Sequence, residues 1–417
     1  MHISHLHVFP QIHSPYYFYY SLILKIQTQE TRKNPPVRLV RLALRHFRNY
    51  PALSLEPAPG FNYLFGPNGA GKTNLLEAIH FLTRLRSFRR ASRRGMIEEG
   101  QLGMYLRGEF RREEGAAAGV TLEAAVQDHE RKYRVNGKEE GDLLSYLDQV
   151  HTAVFFPESL QIVKEGPALR RAFFDRALAA ENPAHLAAAR EYNRLLAERN
   201  RLLKGGANSD ILAVWDRRFL KSAARIVARR QRYLGSLRGH LALLECSLAS
   251  ALGRRIEVEY TAEGTGLSGE TWEHLAGGEE DPEAAAEAVL AQSAARAAAE
   301  ERRRGVTQWG PHLDDFRIRL GTRRARDAAS QGEQRLLTLA LVMAAAGSFR
   351  AARGEEPIIL LDDLSSELDE RCRGDVLGHL AATGAQVFIT STEAPGSRAG
   401  GAGAGRFHIE KGILSAR

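Results

Sequence analysis

The stretch from Gly66 to Thr73, Gly-Pro-Asn-Gly-Ala-Gly-Lys-Thr, constrains this chain more than any other. It has the glycine spacing and terminal Lys-Thr of a phosphate-binding loop, which works only between a strand and a helix. Both flanks comply: the β-prone run Phe61–Phe65 precedes it, and apolar residues at helical spacing (Leu75, Leu76, Ile79, Leu82) follow. Glycines let backbone N–H groups curl around a phosphate, and the helix N-terminus adds its dipole. Lys72 can reach the β- and γ-phosphates, and the Thr73 hydroxyl can ligate Mg²⁺. Gly66, Pro67, Asn68, Gly69, Ala70, Gly71, Lys72, Thr73 and Asn74 are therefore the first candidates to hold a nucleotide.

The acidic half of such a site stands far downstream. Ile358-Ile359-Leu360-Leu361-Asp362-Asp363 is an apolar strand ending in two carboxylates, the form taken by a Mg²⁺-organising strand. Asp362 would hold the metal and Asp363 would orient or deprotonate the attacking water. A buried strand meeting solvent at an acidic turn would look the same. Two neighbours favour the site: Ser330-Gln331-Gly332-Glu333-Gln334-Arg335 opens a helix, giving a second anion-binding N-terminus, and Ser366-Glu367-Leu368-Asp369 follows the acidic pair.

Between these halves the texture changes. Arg38–Leu44 and Leu53–Glu56 alternate as a hairpin before the loop, and 103–150 reads as short strands with turns at Gly115–Gly119 and Asn136-Gly137. From Pro167 the strand signal fades. Helices are expected over Pro183–Leu203, capped by Asn182 and stopped by Gly205, over Ile211–Leu248, and over Pro282–Arg303, with a strand in Arg254–Thr261. Arg225, Arg229, Arg230 and Arg232 would make one side of the second helix basic. Alternating strand and helix signals then return: strands at Asp315–Leu320, Pro357–Leu361 and Gln386–Thr390, helices at Gly332–Phe349 and Asp369–Ala382, and a hairpin-like end at Phe407–Leu414.

Charge bears on partners. Lys and Arg number 58 against 50 Asp and Glu, with a pI near 9.5, which suits a polyanion. Arg84, Arg86, Arg89, Arg90, Arg93 and Arg94, interleaved with Ser87 and Phe88, form either a solvated face or a phosphate-backbone contact. Arg86, Arg89, Arg90, Arg93 and Arg94 are the candidate DNA contacts. The only cysteines, Cys246 and Cys372, exclude a disulfide framework and a zinc site, fit a reducing cytoplasm, and read as small buried apolar residues. No stretch reads as transmembrane. Residues 1–36 read as an appendage, disordered or supplied by a mis-set translation start.

These motifs resemble ATP-binding-cassette ATPases, and among them SMC-type heads: Gly66–Thr73 resembles Walker A, Ser330–Gln334 the signature, Pro357–Asp363 Walker B and Ser366–Asp369 the D-loop. The chain is more similar still to the RecF family. The residues that carry this are Phe47-Arg48-Asn49-Tyr50, Lys72–Ile79, Arg86-Ser87-Phe88-Arg89, Phe156-Pro157-Glu158, Gly310-Pro311-His312 with Asp314-Asp315, and Ser330–Arg335. The fold implied is α/β: an ABC-type P-loop ATPase head, a mixed sheet with helices, carrying an inserted α-helical lobe. On that plan 37–166 and 305–417 form the two halves of the ATPase lobe, with 167–304 as the helical insert.

The resemblance further implies a slow, DNA-stimulated ATPase using ATP and Mg²⁺, with Asp363, Lys72 and Ser330 catalytic and Thr73 and Asp362 on the metal. Arg48 would sit near the base or ribose. Ser330, Gln331, Gly332 and Glu333 of one subunit would close on ATP held by its partner, making an ATP-dependent homodimer. Such a clamp would bind single- and double-stranded DNA, preferably at gaps and strand junctions. It would act with RecR and RecO to load RecA in gap repair, at stalled forks and in the SOS response, in the cytoplasm at the nucleoid. Asp363 stands where cassette transporters carry Glu and Ser391-Thr392 where many have a switch His, two features that RecF-like sequences share, whereas Leu313 stands where Arg is common and His46 where Asn is common. A shorter base predicts slow turnover. A transporter ATPase subunit and a structural SMC-type head are the rival classes, and the short insert leaves no room for a long coiled-coil arm.

Overall fold

The computed structural model describes residues 36–112, 119–127, 130–266, 281–364, 370–394, 396 and 403–416, with backbone alone at 209, 245–252 and 416. Outside them lie the expected appendage except Pro36, the Gly115–Gly119 turn except its last residue, the Ser366–Asp369 motif and the Cys246 side chain.

Two six-stranded sheets enclose the helix that follows the phosphate loop. The first is antiparallel, in the order β2-β1-β4-β5-β6-β7: β1 (Val37–Phe47), β2 (Tyr50–Leu55), β4 (Gly103–Arg112), β5 (Val120–Gln127), β6 (Glu130–Val135) and β7 (Lys138–Glu139). Its alternation sends Leu42, Leu44, Leu106, Phe110 and Leu122 inward while Arg41, Arg45, Arg107 and Arg111 stay exposed, the pattern of a sheet wet on one side. The β6–β7 turn is the expected Asn136-Gly137, with φ of 52° and 78°, a hairpin geometry that Asn-Gly adopts with least strain.

The second sheet runs β15-β14-β3-β13-β12-β8, from β3 (Phe61–Phe65), β8 (Thr152–Phe155), β12 (Ile358–Leu361), β13 (Val387–Ser391), β14 (Gly405–Glu410) and β15 (Ile413–Ala416). All neighbours are parallel except the β14–β15 hairpin. Strands β3 and β12 are buried along their whole length, which is why their sequences read as continuous apolar runs. Helix α1 (Lys72–Arg84) lies between the sheets, so Leu75, Leu76, Ile79, Phe81 and Leu82 are all 0% exposed. The opposite face, through Ile359, Leu361, Val387 and Ile389, joins a second core built with the later helices.

Those helices are α2 (Pro167–Glu181), α3 (Pro183–Lys204), α4 (Ser209–Leu252), α5 (Pro282–Arg304), α6 (Gln331–Arg353) and α7 (Glu370–Thr383). Proline opens α2, α3 and α5, and Asn182 Oδ1 accepts the Ala184 N–H at the start of α3. Helix α2 was not expected; it buries few apolar side chains, chiefly Phe174 and Leu178, so its periodicity is faint. A small sheet, β11-β10-β9, pairs β9 (Ile256–Thr261) with β10 (Asp315–Leu320), across the division expected at 304/305, and β10 with β11 (Arg323–Arg324). By length and composition α6 could cross a bilayer, which the sequence reading did not anticipate. Its residues Leu336–Ala344 are buried in the core, packed against α4, β8 and α2. Cys372 is buried, as expected.

The expected basic side of α4 requires correction. Arg230 is buried and donates to both carboxylate oxygens of Asp175 at 2.8 Å and to the Pro311 carbonyl at 2.6 Å. Of the four arginines only Arg232 is fully exposed. Helical spacing cannot reveal a partner carried by another helix.

Candidate functional site

The phosphate loop leaves β3 and enters α1. Gly66 takes φ of 146°, and a Cβ there would lie 2.1 Å from the Ile409 carbonyl oxygen, so no side chain fits. The loop is held from outside by the Phe47–Tyr50 turn. Asn49 Nδ2 donates to the Ala70 carbonyl at 3.0 Å, Tyr50 Oη to the Gly71 carbonyl at 2.9 Å, and Asn74 Nδ2 to Asn49 Oδ1 at 2.8 Å. Sequence reasoning quoted this turn as a motif without giving Asn49 and Tyr50 a task. They tie down loop carbonyls, which leaves the N–H side of those peptides for an anion.

Lys72 is 9% exposed and donates to the carbonyls of Gly66 (2.7 Å) and Pro67 (2.9 Å). Burial lowers its pKa, and the carboxylates of Asp363 and Asp362 pull it back up. The chain order β3-β13-β12 brings the acidic strand end beside the loop, at the carboxyl edge of the sheet where ligands bind in such folds. Thr73 Oγ1 donates to Asp362 Oδ1 at 2.9 Å. The same oxygen accepts the Thr390 hydroxyl at 2.7 Å, and Thr390 Oγ1 in turn accepts the Asp363 N–H at 2.8 Å. Thr390 was missed in the sequence. Its only signal is a hydroxyl at the end of the strand next to the acidic one.

Burial pushes the Asp362 carboxyl up, against bonds from Thr390 and Thr73 that lower it. Asp363 stands at φ of 54°, a left-handed conformation that costs a non-glycine residue about 1–3 kcal/mol. The residues fit ATP and Mg²⁺. Thr73 and Asp362 supply hard oxygens on one spot, and a buried carboxyl held above its usual range carries charge that a cation would neutralise. No cluster of three or more His, Cys, Asp or Glu suited to a metal exists among the described residues, so part of the cation's shell must come from phosphate and water.

Arg48 is held by its neighbours. Its Nε and Nη2 donate to Glu77 at 2.9 and 3.0 Å and Nη1 to the Gly95 carbonyl at 2.7 Å, while Ser87 Oγ donates a short bond to the same Glu77. Glu77 is 0% exposed, so Arg48 pins α1 to the following loop. The five candidate DNA arginines are all exposed and differ in their partners. Arg89 bonds Asn74 Oδ1 at 3.3 Å and its charge reaches Asp362; Arg94 bonds the Gln101 carbonyl at 2.7 Å; Arg93 is exposed; Arg86 and Arg90 line a cavity. A basic surface of a different origin lies on the wet face of the first sheet, where Arg41, Arg45, Arg107, Arg111, Lys132 and Arg134 are exposed.

The signature residues open α6. Ser330 Oγ accepts the Glu333 N–H at 3.3 Å and Glu333 accepts the Ser330 N–H at 2.7 Å, a reciprocal cap, with Arg254 bonded to Glu333 from outside. Ser330, Gln331 and Gly332 are exposed, and none of the hydrogen bonds of Ser330–Gln334 reaches the phosphate loop. The other family stretch, Gly310–Asp315, is structural here. Asp315 accepts Arg170 at 2.7 and 2.8 Å, Asp314 accepts Tyr260 Oη at 2.6 Å and two backbone N–H groups, and His312 meets Tyr192 Oη at 2.7 Å. Leu313 is 38% exposed, and His46 pairs with Glu98 at 2.7 Å.

Sheets, phosphate loop, acidic strand and outward-facing signature define an ATP-binding-cassette ATPase head of the SMC type. Residues 38–413 match the RecF/RecN/SMC N-terminal domain family. The DNA replication and repair protein RecF of Myxococcus xanthus is 37% identical over 86% of this chain and 91% of its own. RecF of Xanthomonas euvesicatoria is 35% identical over 91% and 98%. Among solved structures, the recombination mediator protein RecF with ATP in the RecFOR pathway aligns at TM-score 0.79 and 28% identity, over 92% of this chain and all of that one. An Smc head bound to the C-terminal winged-helix domain of ScpA shares the fold at TM-score 0.52 and 16% identity. The chain belongs to the RecF family.

Proposed function

We propose that this chain is an ATP-dependent DNA clamp of recombinational repair, an ATPase that closes as a homodimer and turns over slowly. The observation that carries the proposal is the split site: the phosphate loop and Asp362 are assembled within one molecule, while the Ser330–Gly332 helix start is exposed and makes no hydrogen bond to its own loop. A second copy would bring that start to the γ-phosphate, with Lys72 and the loop amides binding phosphate and Ser330, Gln331, Gly332 and Glu333 closing the far side. Bound Mg²⁺, held by Thr73 and Asp362, would neutralise phosphate charge. Asp363 orients water for attack, and its short side chain suits a timer rather than a motor. Arg48 would sit near the ribose or base, as the family resemblance implies.

We assign 37–166 and 305–417 to the ATPase lobe and 167–304 to the helical insert. DNA, at gaps and strand junctions, would meet the basic face of the first sheet and Arg93, and the protein would serve RecA loading with RecO and RecR at the nucleoid. The names of the relatives support repair as the process.

Sedimentation velocity with and without ATP tests the site. Lys72→Ala should abolish the ATP-induced dimer, whereas Ser330→Ala should bind ATP normally and fail to dimerise. Equal loss of ATP binding in both variants would disprove the trans role. A gapped duplex should bind more tightly with ATP than without it.

A further inference from the structure

Arg86 and Arg90 look into a cavity of about 520 Å³ that belongs to no part of the phosphate loop. Its walls are the edge strand β8, the C-terminal end of α1, and α2, α3 and α6, so whatever fills it touches both the sheet and the helices. That volume falls in the range of about 300–1,000 Å³ typical of small-molecule sites.

The charge in this cavity is lopsided. Arg84, Arg86, Arg90, Arg176 and Arg190 line it against Asp148 and Glu158, and Asp148 is already paired with Arg353 at 2.7 Å. Arg84 bonds the Leu147 carbonyl. The side chains of Arg86, Arg90, Arg176 and Arg190 make no hydrogen bond or ion pair among the described residues. Burial and Arg86 push Arg84 down to about 10, and burial with Arg86 and Arg90 pushes Arg176 down to about 9. These guanidiniums stay charged at neutral pH and repel one another, so a bound anion would relieve the repulsion.

His80 lines the cavity, is 5% exposed, and uses Nδ1 on Thr152 Oγ1 at 3.1 Å, while its Nε2 has no partner. Burial and the charges of Arg86, Arg84 and Arg176 hold its pKa well below the usual value, so the ring is neutral. The floor is aromatic and apolar, with Phe88 tilted against Phe156 at 4.8 Å and Phe173 and Phe349 beside them.

We propose that this cavity is a second anion site, separate from the phosphate loop, for a small ligand that joins two or more phosphates to a planar base: a nucleoside polyphosphate. The arginines take the phosphates and the phenylalanine floor takes the base. Its occupant would fix the helices against the edge of the ATPase sheet. The inference does not depend on the clamp reading above.

Calorimetry with ADP on the full chain tests it. The wild type should bind two ADP per chain. Lys72→Ala should keep one, and the double variant Arg86→Gln with Arg176→Gln should weaken the second site by about tenfold or more while sparing the first. Photolabelling the wild type with 8-azido-ADP, followed by peptide mapping, should mark residues within 84–90 or 173–190. A single site in the wild type, with label confined to the phosphate loop and its surroundings, would overturn the proposal. Displacement of ADP from Lys72→Ala by a short DNA single strand would also overturn it, assigning the cavity to a DNA strand end.

Discussion

Replacing Thr390 by Val keeps the shape of the strand end and removes one hydroxyl. That hydroxyl donates to Asp362 at 2.7 Å and accepts the Asp363 N–H at 2.8 Å, so two bonds go at once. A hydrogen bond to a charged group contributes about 1.5–3 kcal/mol, and a stranded N–H adds a desolvation penalty of about 1–3 kcal/mol when water cannot reach it. Because the two share one oxygen they do not simply add, and the expected loss is about 2–4 kcal/mol. Thr390→Ser keeps both bonds and should lie within about 1 kcal/mol of wild type. Urea unfolding without nucleotide reads this directly.

The pH dependence gives a second handle on the same bond. Asp362 has its folded pKa raised above the ordinary 3.8 by burial, so the native state holds the proton more tightly than the unfolded chain. Its ionisation therefore removes stability as pH rises from about 4 through the raised value. Without Thr390 the raised value climbs further, and the Thr390→Val deficit should shrink in acid, where Asp362 is neutral and the lost bond no longer charge-assisted. A Thr390→Val protein within about 0.5 kcal/mol of wild type, or one matched by Thr390→Ser, would refute the argument.

Asp362→Asn removes the buried charge and should raise stability without nucleotide at pH 7.5, on the order of 1 kcal/mol, flattening the pH profile while ending Mg²⁺-dependent hydrolysis; urea melts and phosphate release measure the two parts. Arg48→Met strands the buried Glu77 carboxylate and should cost about 3–5 kcal/mol, with Glu77→Gln added to it recovering most of the loss in the same melts. Glu181 on α2 is pushed up to about 7 by burial, so its proton is held more tightly in the folded state than at the ordinary 4.5. Stability should fall between pH 4.5 and about 7 and level off above, and in Glu181→Gln that part of the slope should vanish from thermal melts taken across the range.

The features that could be read in advance are those whose chemistry is local. A glycine loop between a strand and a helix, an apolar strand ending in two acids, and a Ser-x-Gly helix start each carry their meaning within a few residues, and each stands where the sequence placed it. What stayed hidden depends on strand order and long-range partners. Thr390 matters because β13 lies between β3 and β12, an adjacency no single segment declares. Arg170 and Asp315, 145 residues apart, and Arg230 with Asp175, 55 apart, turn surface-looking charges into buried pairs. Once partnered, such residues punish loss of one member far more than their net contribution to stability suggests.

The nucleotide site is arranged so that its own charges are poorly satisfied until a ligand arrives. Lys72 is drawn toward neutrality by burial, Asp362 likewise from the acidic side, and Asp363 holds a strained backbone. Phosphate answers the first and a cation the second, so the free energy of binding ATP includes relief of costs already present in the folded chain. The Ser330 helix start differs: it is capped by its own Glu333, which Arg254 steadies, and nothing in it presses for a partner. On the proposed reading, closure of two copies would draw on the γ-phosphate and the apposed surfaces rather than on strain released at the signature. Binding would then be strong in the monomer and dimerisation reversible, the balance the proposed clamp needs if ATP is to close it and hydrolysis is to let it open.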